Sequence, residues 1–203
     1  DEAFLRRARE LADQVGALLV FDEIQCGLGR TGRYFSYLLY DPPIRPDVVV
    51  VAKPLGCGLP IGALIASEEV ASVFEPGMHG STFGGGPLVC RVGLEFLSVL
   101  DELLPSIYQL GGYFRMRLED LLLHYRFIKE IRCYGLMIGI ELKIPGAPLV
   151  DEALQHGLLI NCTQEHVLRF LPPYIITELE IDQAMRILDK VFKKGRELYV
   201  HSG

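Results

Sequence analysis

The sequence predicts an α/β fold: strands alternate with helix-spaced stretches through its first half, and shorter alternating elements follow. Three observations carry this reading. Residues 17–21 (Ala17-Leu18-Leu19-Val20-Phe21) and 48–52 (Val48-Val49-Val50-Val51-Ala52) are unbroken apolar runs of strand length. Residues 3–15 set Phe4, Leu5, Ala8, Leu11, Ala12 and Val15 at helical spacing. Half of the 203 residues are hydrophobic and 23% are charged, enough apolar material for a substantial core.

The elements follow in order. The first helix should stop at Gly16. Residues 1–7 read as the middle of a helix, neither a signal peptide nor an initiator methionine, so the chain is expected to begin inside a larger protein. The strand 17–21 leads into a glycine loop at 27–32. Residues 34–39 fit no single element, Pro42-Pro43 with Pro46 make a turn, and 48–52 is the next strand. A short strand at 63–66 and a helical pattern at 68–74 precede a loop at 76–86 rich in glycine and small polar residues. A helical stretch runs from Pro87 to Tyr125, with a break expected near Pro105.

Beyond it the texture changes. Residues 128–132 and 136–142 alternate as half-buried antiparallel strands do. Residues 150–155 read as a short helix, and 158–161 and 167–171 as strands. Residues 178–198 read as an amphipathic helix, with Thr177 and Glu180 spaced as a capping box. Two domains are therefore expected, 1–105 as an α/β core and 106–203 as an α+β lobe.

Composition excludes several classes. A net charge of −6 without a basic stripe leaves no electrostatic footprint for nucleic acid. Five cysteines with no Cys-x-x-Cys spacing argue against a disulfide framework or a structural zinc site, and for a reducing compartment. No apolar run is long enough to span a bilayer as a helix.

The chemistry-bearing residues stand where strands end. Lys53 follows the run 48–52 and opens the loop Pro54-Leu55-Gly56-Cys57-Gly58-Leu59-Pro60-Ile61-Gly62. A lysine at the end of a buried strand is expected to be poorly hydrated, and desolvation disfavours the ammonium form, leaving a nucleophilic amine. The strand 17–21 ends in Asp22-Glu23-Ile24-Gln25. An acid and an amine closing two consecutive strands are what pyridoxal phosphate needs: a lysine for its aldehyde and an acid to keep its pyridine nitrogen protonated. Gly27-Leu28-Gly29-Arg30-Thr31-Gly32 also matches the dinucleotide-binding pattern G-x-G-x-x-G. Three features of context oppose that reading: five residues separate Phe21 from the motif, no clean helix follows, and the next strand ends in Lys53 rather than an acid.

Taken together, the segments 21–32, 46–48, 52–63 and 79–90 resemble successive signatures of the class III, pyridoxal-phosphate-dependent aminotransferases, and 135–142 with 167–173 continue the likeness. The resemblance implies a fold-type I architecture, with 1–105 the later part of the large cofactor-binding domain and 106–203 the small C-terminal domain. It implies Lys53 as the lysine that binds the cofactor aldehyde and later shuttles a proton, Asp22 as the partner of the pyridinium nitrogen, and Gln25 near the ring hydroxyl. Thr82, with Ser81 beside it, would reach the cofactor phosphate of a neighbouring subunit in a homodimer, and Arg169 would hold the substrate α-carboxylate. His79 and Arg30 also match, as structural residues, while Cys133 stands where the family usually has glycine. The branch it is most similar to implies transfer of the ω-amino group of N-acetylornithine to 2-oxoglutarate, an arginine-biosynthetic reaction, in the cytoplasm or an organelle matrix. Ornithine, succinyldiaminopimelate and 4-aminobutyrate are the alternative donors among similar enzymes. The family chain is roughly twice this length, and its first half carries the phosphate turn and the ring-stacking aromatic. This chain taken alone is therefore expected to be an incomplete enzyme, and a purely structural or dimerising role is the competing reading.

Overall fold

The apolar spacing of residues 3–15 becomes helix α1 (Glu2–Val15) in the computed structural model, which describes residues 1–201. Asp1 is not inside this helix: its carboxylate accepts the Ala3 N–H at 3.0 Å and caps the first turn. The described residues divide into two units, Asp1–Leu104 and a second that begins at Pro105.

The first unit is built on a three-stranded sheet of β1 (Val20–Asp22), β2 (Val48–Val51) and β3 (Ala63–Ala66), in the order β1-β2-β3. β1 runs parallel to β2, with Val20 opposite Val48 and Asp22 opposite Val50; β3 is antiparallel. β1 starts later than the apolar run because Leu19 is already committed to Asp47. Its N–H donates to Asp47 Oδ2 at 2.6 Å and its carbonyl accepts the Asp47 N–H at 2.9 Å. Arg9 of α1 reaches the same carboxylate at 2.7 Å. The Arg9 guanidinium, with the Leu19 N–H, holds the Asp47 carboxyl below the usual carboxylate range. Val48, Val49 and Val51 are buried, whereas Val20 on one edge strand and Leu64 and Ile65 on the other are exposed.

The helical pattern at 68–74 shortens to α2 (Glu68–Ala71), capped by the Ser67 hydroxyl. Helix α3 (Pro87–Leu122) contains Pro105 without a break. A proline there removes one hydrogen bond, but apolar side chains on both sides of it are buried, Phe96 and Leu100 before and Ile107, Phe114 and Leu118 after. Burial outweighs the local penalty.

The second unit holds a four-stranded antiparallel sheet, order β4-β5-β7-β6, from β4 (Ile128–Tyr134), β5 (Met137–Leu142), β6 (Asn161–Thr163) and β7 (Val167–Phe170). Helices α4 (Ala147–Gln155) and α5 (Glu178–His201) complete it. The strand expected at 158–161 starts at Asn161 instead. Upstream, the Leu158 N–H closes the end of α4 by donating to Ala153 O at 2.9 Å, so it takes no part in the sheet. The capping box forms: Glu180 N–H donates to Thr177 Oγ1 at 3.3 Å and Thr177 N–H to Glu180 Oε2 at 2.8 Å. The core gathers Phe114, Phe127, Ile140, Leu168, Leu188 and Phe192, the rings of Phe127 and Phe192 meeting edge to face at 5.6 Å. No helix among the described residues is long and apolar enough to cross a membrane.

Candidate active site

Parallel pairing puts the carboxyl ends of β1 and β2 at one edge of the sheet, the edge at which open α/β sheets bind ligands. Asp22 is the last residue of β1 and lies opposite Val50; Lys53 follows Val50 by three residues and opens a 3₁₀ turn, Lys53–Gly56. Asp22 is exposed, with Oδ1 accepting the Ile24 N–H at 2.9 Å. Lys53 is exposed as well, which corrects the expectation of a poorly hydrated amine. Its turn buries Leu55 and Gly56 instead, so the described residues do not desolvate the amine.

The segment after Asp22 folds back on itself. Glu23 is 2% exposed; its Oε2 accepts the Ser36 N–H at 2.7 Å and its Oε1 the Tyr37 N–H at 3.1 Å. Ser36 Oγ donates to Cys26 Sγ at 3.3 Å. Gly27 must be glycine, because a Cβ there would stand 2.7 Å from Glu23 O and 2.9 Å from Glu23 Oε2. Tyr34 donates to Asp101 on α3, and this bond is the main reason its phenol is pushed up to about 12. Leu28 N–H donates to Tyr34 O at 2.6 Å and Gly29 N–H to Arg33 O at 3.0 Å. These N–H groups of the G-x-G-x-x-G segment are therefore spent within the loop rather than offered to a pyrophosphate at a helix start. The segment and strand together line a cleft with Phe21, Asp22, Glu23, Ser36, Tyr37 and Tyr40 on its wall.

The remaining expected residues are placed as follows. Gln25 is half-buried in the turn after β1. Ser81 and Thr82 are exposed in the loop between α2 and α3, where Ser81 Oγ accepts the Gly84 N–H at 3.1 Å. No described contact ties them to Asp22 or Lys53. Arg169 belongs to the second unit, on β7 between Gly139 of β5 and Asn161 of β6, and its Nε donates to Asn161 Oδ1 at 3.2 Å. Sequence reasoning missed Asn161 and Glu23. Asn161 becomes visible only once the β6–β7 register is known. Glu23 was hidden because it sits beside a more conspicuous acid, although the glycine four residues on is a trace of its close approach.

As a donor set for pyridoxal phosphate the first unit fits in part. An accessible carboxylate suits a protonated ring nitrogen and an accessible amine suits an aldehyde, and both lie on one sheet edge.

Comparison with known proteins gives a consistent answer. The family described as Aminotransferase class-III matches residues 1–192. The acetylornithine aminotransferase of Methanocaldococcus jannaschii is 46% identical over 194 residues, covering 95% of this chain and 48% of that protein. The ornithine aminotransferase of Toxoplasma gondii has a similar structure, at a TM-score of 0.87 and 38% identity, covering 97% of this chain and 48% of that one. A second structure of it, crystallized in the presence of oxidized glutathione with partial occupancy of PLP at the active site, superposes at a TM-score of 0.85 and 38% identity, covering 96% and 48%. The chain spans about half the length of the curated relatives it matches.

Proposed function

The chain belongs to the class III aminotransferases, and from that premise we propose that it supplies the lysine and the pyridinium-binding acid of a pyridoxal-phosphate-dependent transfer of an ω-amino group. The observation that carries the reading is the parallel register of β1 and β2, which sets Asp22 and Lys53 on one sheet edge. Residues 1–105 are then part of the large cofactor-binding domain and 106–203 the small C-terminal domain. Bound there, the cofactor supplies an electron sink for the carbon that loses its amine.

The chain's own residues do the rest. Lys53 Nζ would hold the cofactor by its aldehyde and would serve as the base that moves the proton of the donor carbon. Asp22, with Oδ1 taken by the Ile24 N–H, has Oδ2 left to hold the ring nitrogen's proton. Gln25 sits within the turn that follows and serves the ring hydroxyl. Arg169 offers a planar fork to the substrate α-carboxylate, and Asn161 orients that fork through Nε. Ser81 and Thr82 serve the phosphate, in a homodimer that of the neighbouring subunit. The remaining part of the phosphate site belongs to the half of the relatives' length that this chain does not span.

N-Acetylornithine is the donor that the 46% identical relative's name favours, and 2-oxoglutarate is the acceptor in this reading; ornithine is the second reading for the donor, supported by the structural likeness to ornithine aminotransferases. The compartment in this reading is cytoplasm or organelle matrix. The test is borohydride reduction of the complete protein that contains this chain, loaded with pyridoxal phosphate, followed by peptide mapping. A pyridoxyl label on Lys53 is expected. A label on Lys129 or Lys190 instead removes the assignment.

A further inference from the structure

Glu23 is one of two polar or charged side chains buried among the described residues. A carboxylate taken out of water is expensive unless it is hydrogen-bonded, and here backbone N–H groups do the bonding. Each oxygen takes one: Ser36 N–H on Oε2 and Tyr37 N–H on Oε1. The backbone of the same residue is fixed at two further points, its N–H donating to Val50 O at 2.9 Å and its carbonyl accepting the Gly27 N–H at 3.0 Å. Glu23 therefore ties three things together: the adjacent strand β2, the turn that carries Gln25, and the start of the 3₁₀ turn Ser36–Leu39. Asp22 is its immediate neighbour in the chain. A pocket that needed only filling could hold an apolar side chain without any desolvation cost; a carboxylate with one donor on each oxygen fixes where the segment lies. Its charge also reaches the surroundings, since burial and then Glu23 push the Tyr37 phenol up, and burial first, with Glu23 contributing, pushes the Cys26 thiol up.

We propose that Glu23 is a positioning residue for Asp22 and Gln25, locking residues 22–37 into a closed loop so that the acid meets the cofactor ring at a fixed angle. The proposal rests on the reading of Asp22 and Lys53 given above. Glu23, 2% exposed and with both carboxylate oxygens bonded within the loop, acts in this proposal through its neighbours.

Glu23→Gln is the test variant: its amide oxygen can keep one of the two bonds, while its NH₂ group faces the other N–H donor. Tyr34→Phe is the control, because it slackens the same loop from the α3 side without touching Glu23. Three measurements are made on the complete protein that contains this chain, loaded with pyridoxal phosphate. Amide hydrogen exchange at Ser36 and Tyr37 should accelerate in E23Q. The visible circular dichroism of the bound cofactor, which reports ring orientation, should change in E23Q and stay near wild type in Y34F. The half-reaction kcat should fall roughly 10–100-fold in E23Q, the range for groups that orient a working residue, with KM nearly unchanged. Unchanged exchange, or unchanged dichroism and kcat, overturns the proposal while leaving the Lys53 assignment intact. Equal effects in Y34F overturn it too, since loop slackening in general would then suffice. A wild-type protein that takes up no pyridoxal phosphate on Lys53 overturns the underlying reading of the site, and this proposal with it.

Discussion

Two adjacent glycines of α3 should respond to alanine with opposite signs. Gly111 is buried, and a Cβ on it would stand 2.6 Å from Gly135 Cα and O and 2.7 Å from Gly135 C, all backbone atoms of the turn between β4 and β5. Carbon contacts relax at about 3.5–4.0 Å, so the turn would have to retreat by about 1 Å. Cys133 would have to follow, because its thiol bonds both Gly111 O and Gly135 O at 3.5 Å. Backbone cannot rotate aside as a side chain can, so the upper end of the overpacking range applies, about 3 kcal/mol. Gly112, next in the helix, has nothing within 4 Å of its would-be Cβ. Either change gains about 1 kcal/mol of helix propensity. Gly111→Ala should therefore destabilise by about 2 kcal/mol and Gly112→Ala stabilise by about 1 kcal/mol. The propensity gains cancel in the difference, which isolates the clash. Urea unfolding followed by circular dichroism reads it: with a slope of about 2 kcal/mol/M the two midpoints should differ by about 1.5 M. Midpoints that coincide within about 0.3 M would refute the close approach of helix and turn.

Three further outcomes are expected. Glu141 accepts from Lys129, its largest influence, and from Arg132 at 2.6 Å, and these hold its carboxyl down at about 2. A depressed carboxylate stabilises the fold fully above its ordinary value of 4.5 and loses that contribution as pH falls toward about 2. Glu141→Gln should thus flatten the acid limb of the urea midpoint across that window, and a limb parallel to wild type would contradict the pairing. Burial pushes the Cys133 thiol up to about 11, whereas Cys57 and Cys90 are exposed. Since the thiolate is the reactive form, alkylation at mildly alkaline pH should label Cys57 and Cys90 well before Cys133, and equal rates would sink the assignment. Asp22→Ala removes a charge-assisted bond of about 1.5–3 kcal/mol to the ring nitrogen. It should slow the half-reaction more than it weakens cofactor binding, and unchanged half-reaction rates would show that Asp22 has another role.

Elements signalled by neighbouring residues were legible in the sequence. α1 follows from its apolar spacing, the start of α5 from the Thr177–Glu180 box, and β2 from four valines in a row. The misreadings share a different cause. Pro105 stays in α3 because residues distant in sequence bury the helix around it, and β1 begins late because Asp47, 28 residues on, takes the Leu19 N–H. The site divides in the same way. That Asp22 and Lys53 end strands can be read locally, but the exposure of Lys53 depends on what covers the turn, and the Asn161–Arg169 bond depends on a register between strands.

The same dependence explains how an acid and an amine 31 positions apart come to share an edge. Parallel strands need a crossover connection of about a dozen residues or more, and here residues 23–47 supply it. Such a connection could let the two strands slip against each other. A slip of one residue would turn every β2 side chain to the opposite face and alter the step from Asp22 to Lys53. Register is instead fixed at both ends of β1. At its start, Leu19 and Asp47 exchange bonds, with Arg9 of α1 holding the same carboxylate. At its finish, the Glu23 N–H donates to Val50 O just beyond the Asp22–Val50 pair. Between these two fastenings lie only the three residues of β1. Asp22 can therefore take just one position relative to Val50, and the 3₁₀ turn that starts at Lys53 follows from there. The placement of the acid and amine is thus a consequence of strand register, set by Asp47 and Glu23, neither of which supplies the amine or the acid that the chemistry would use.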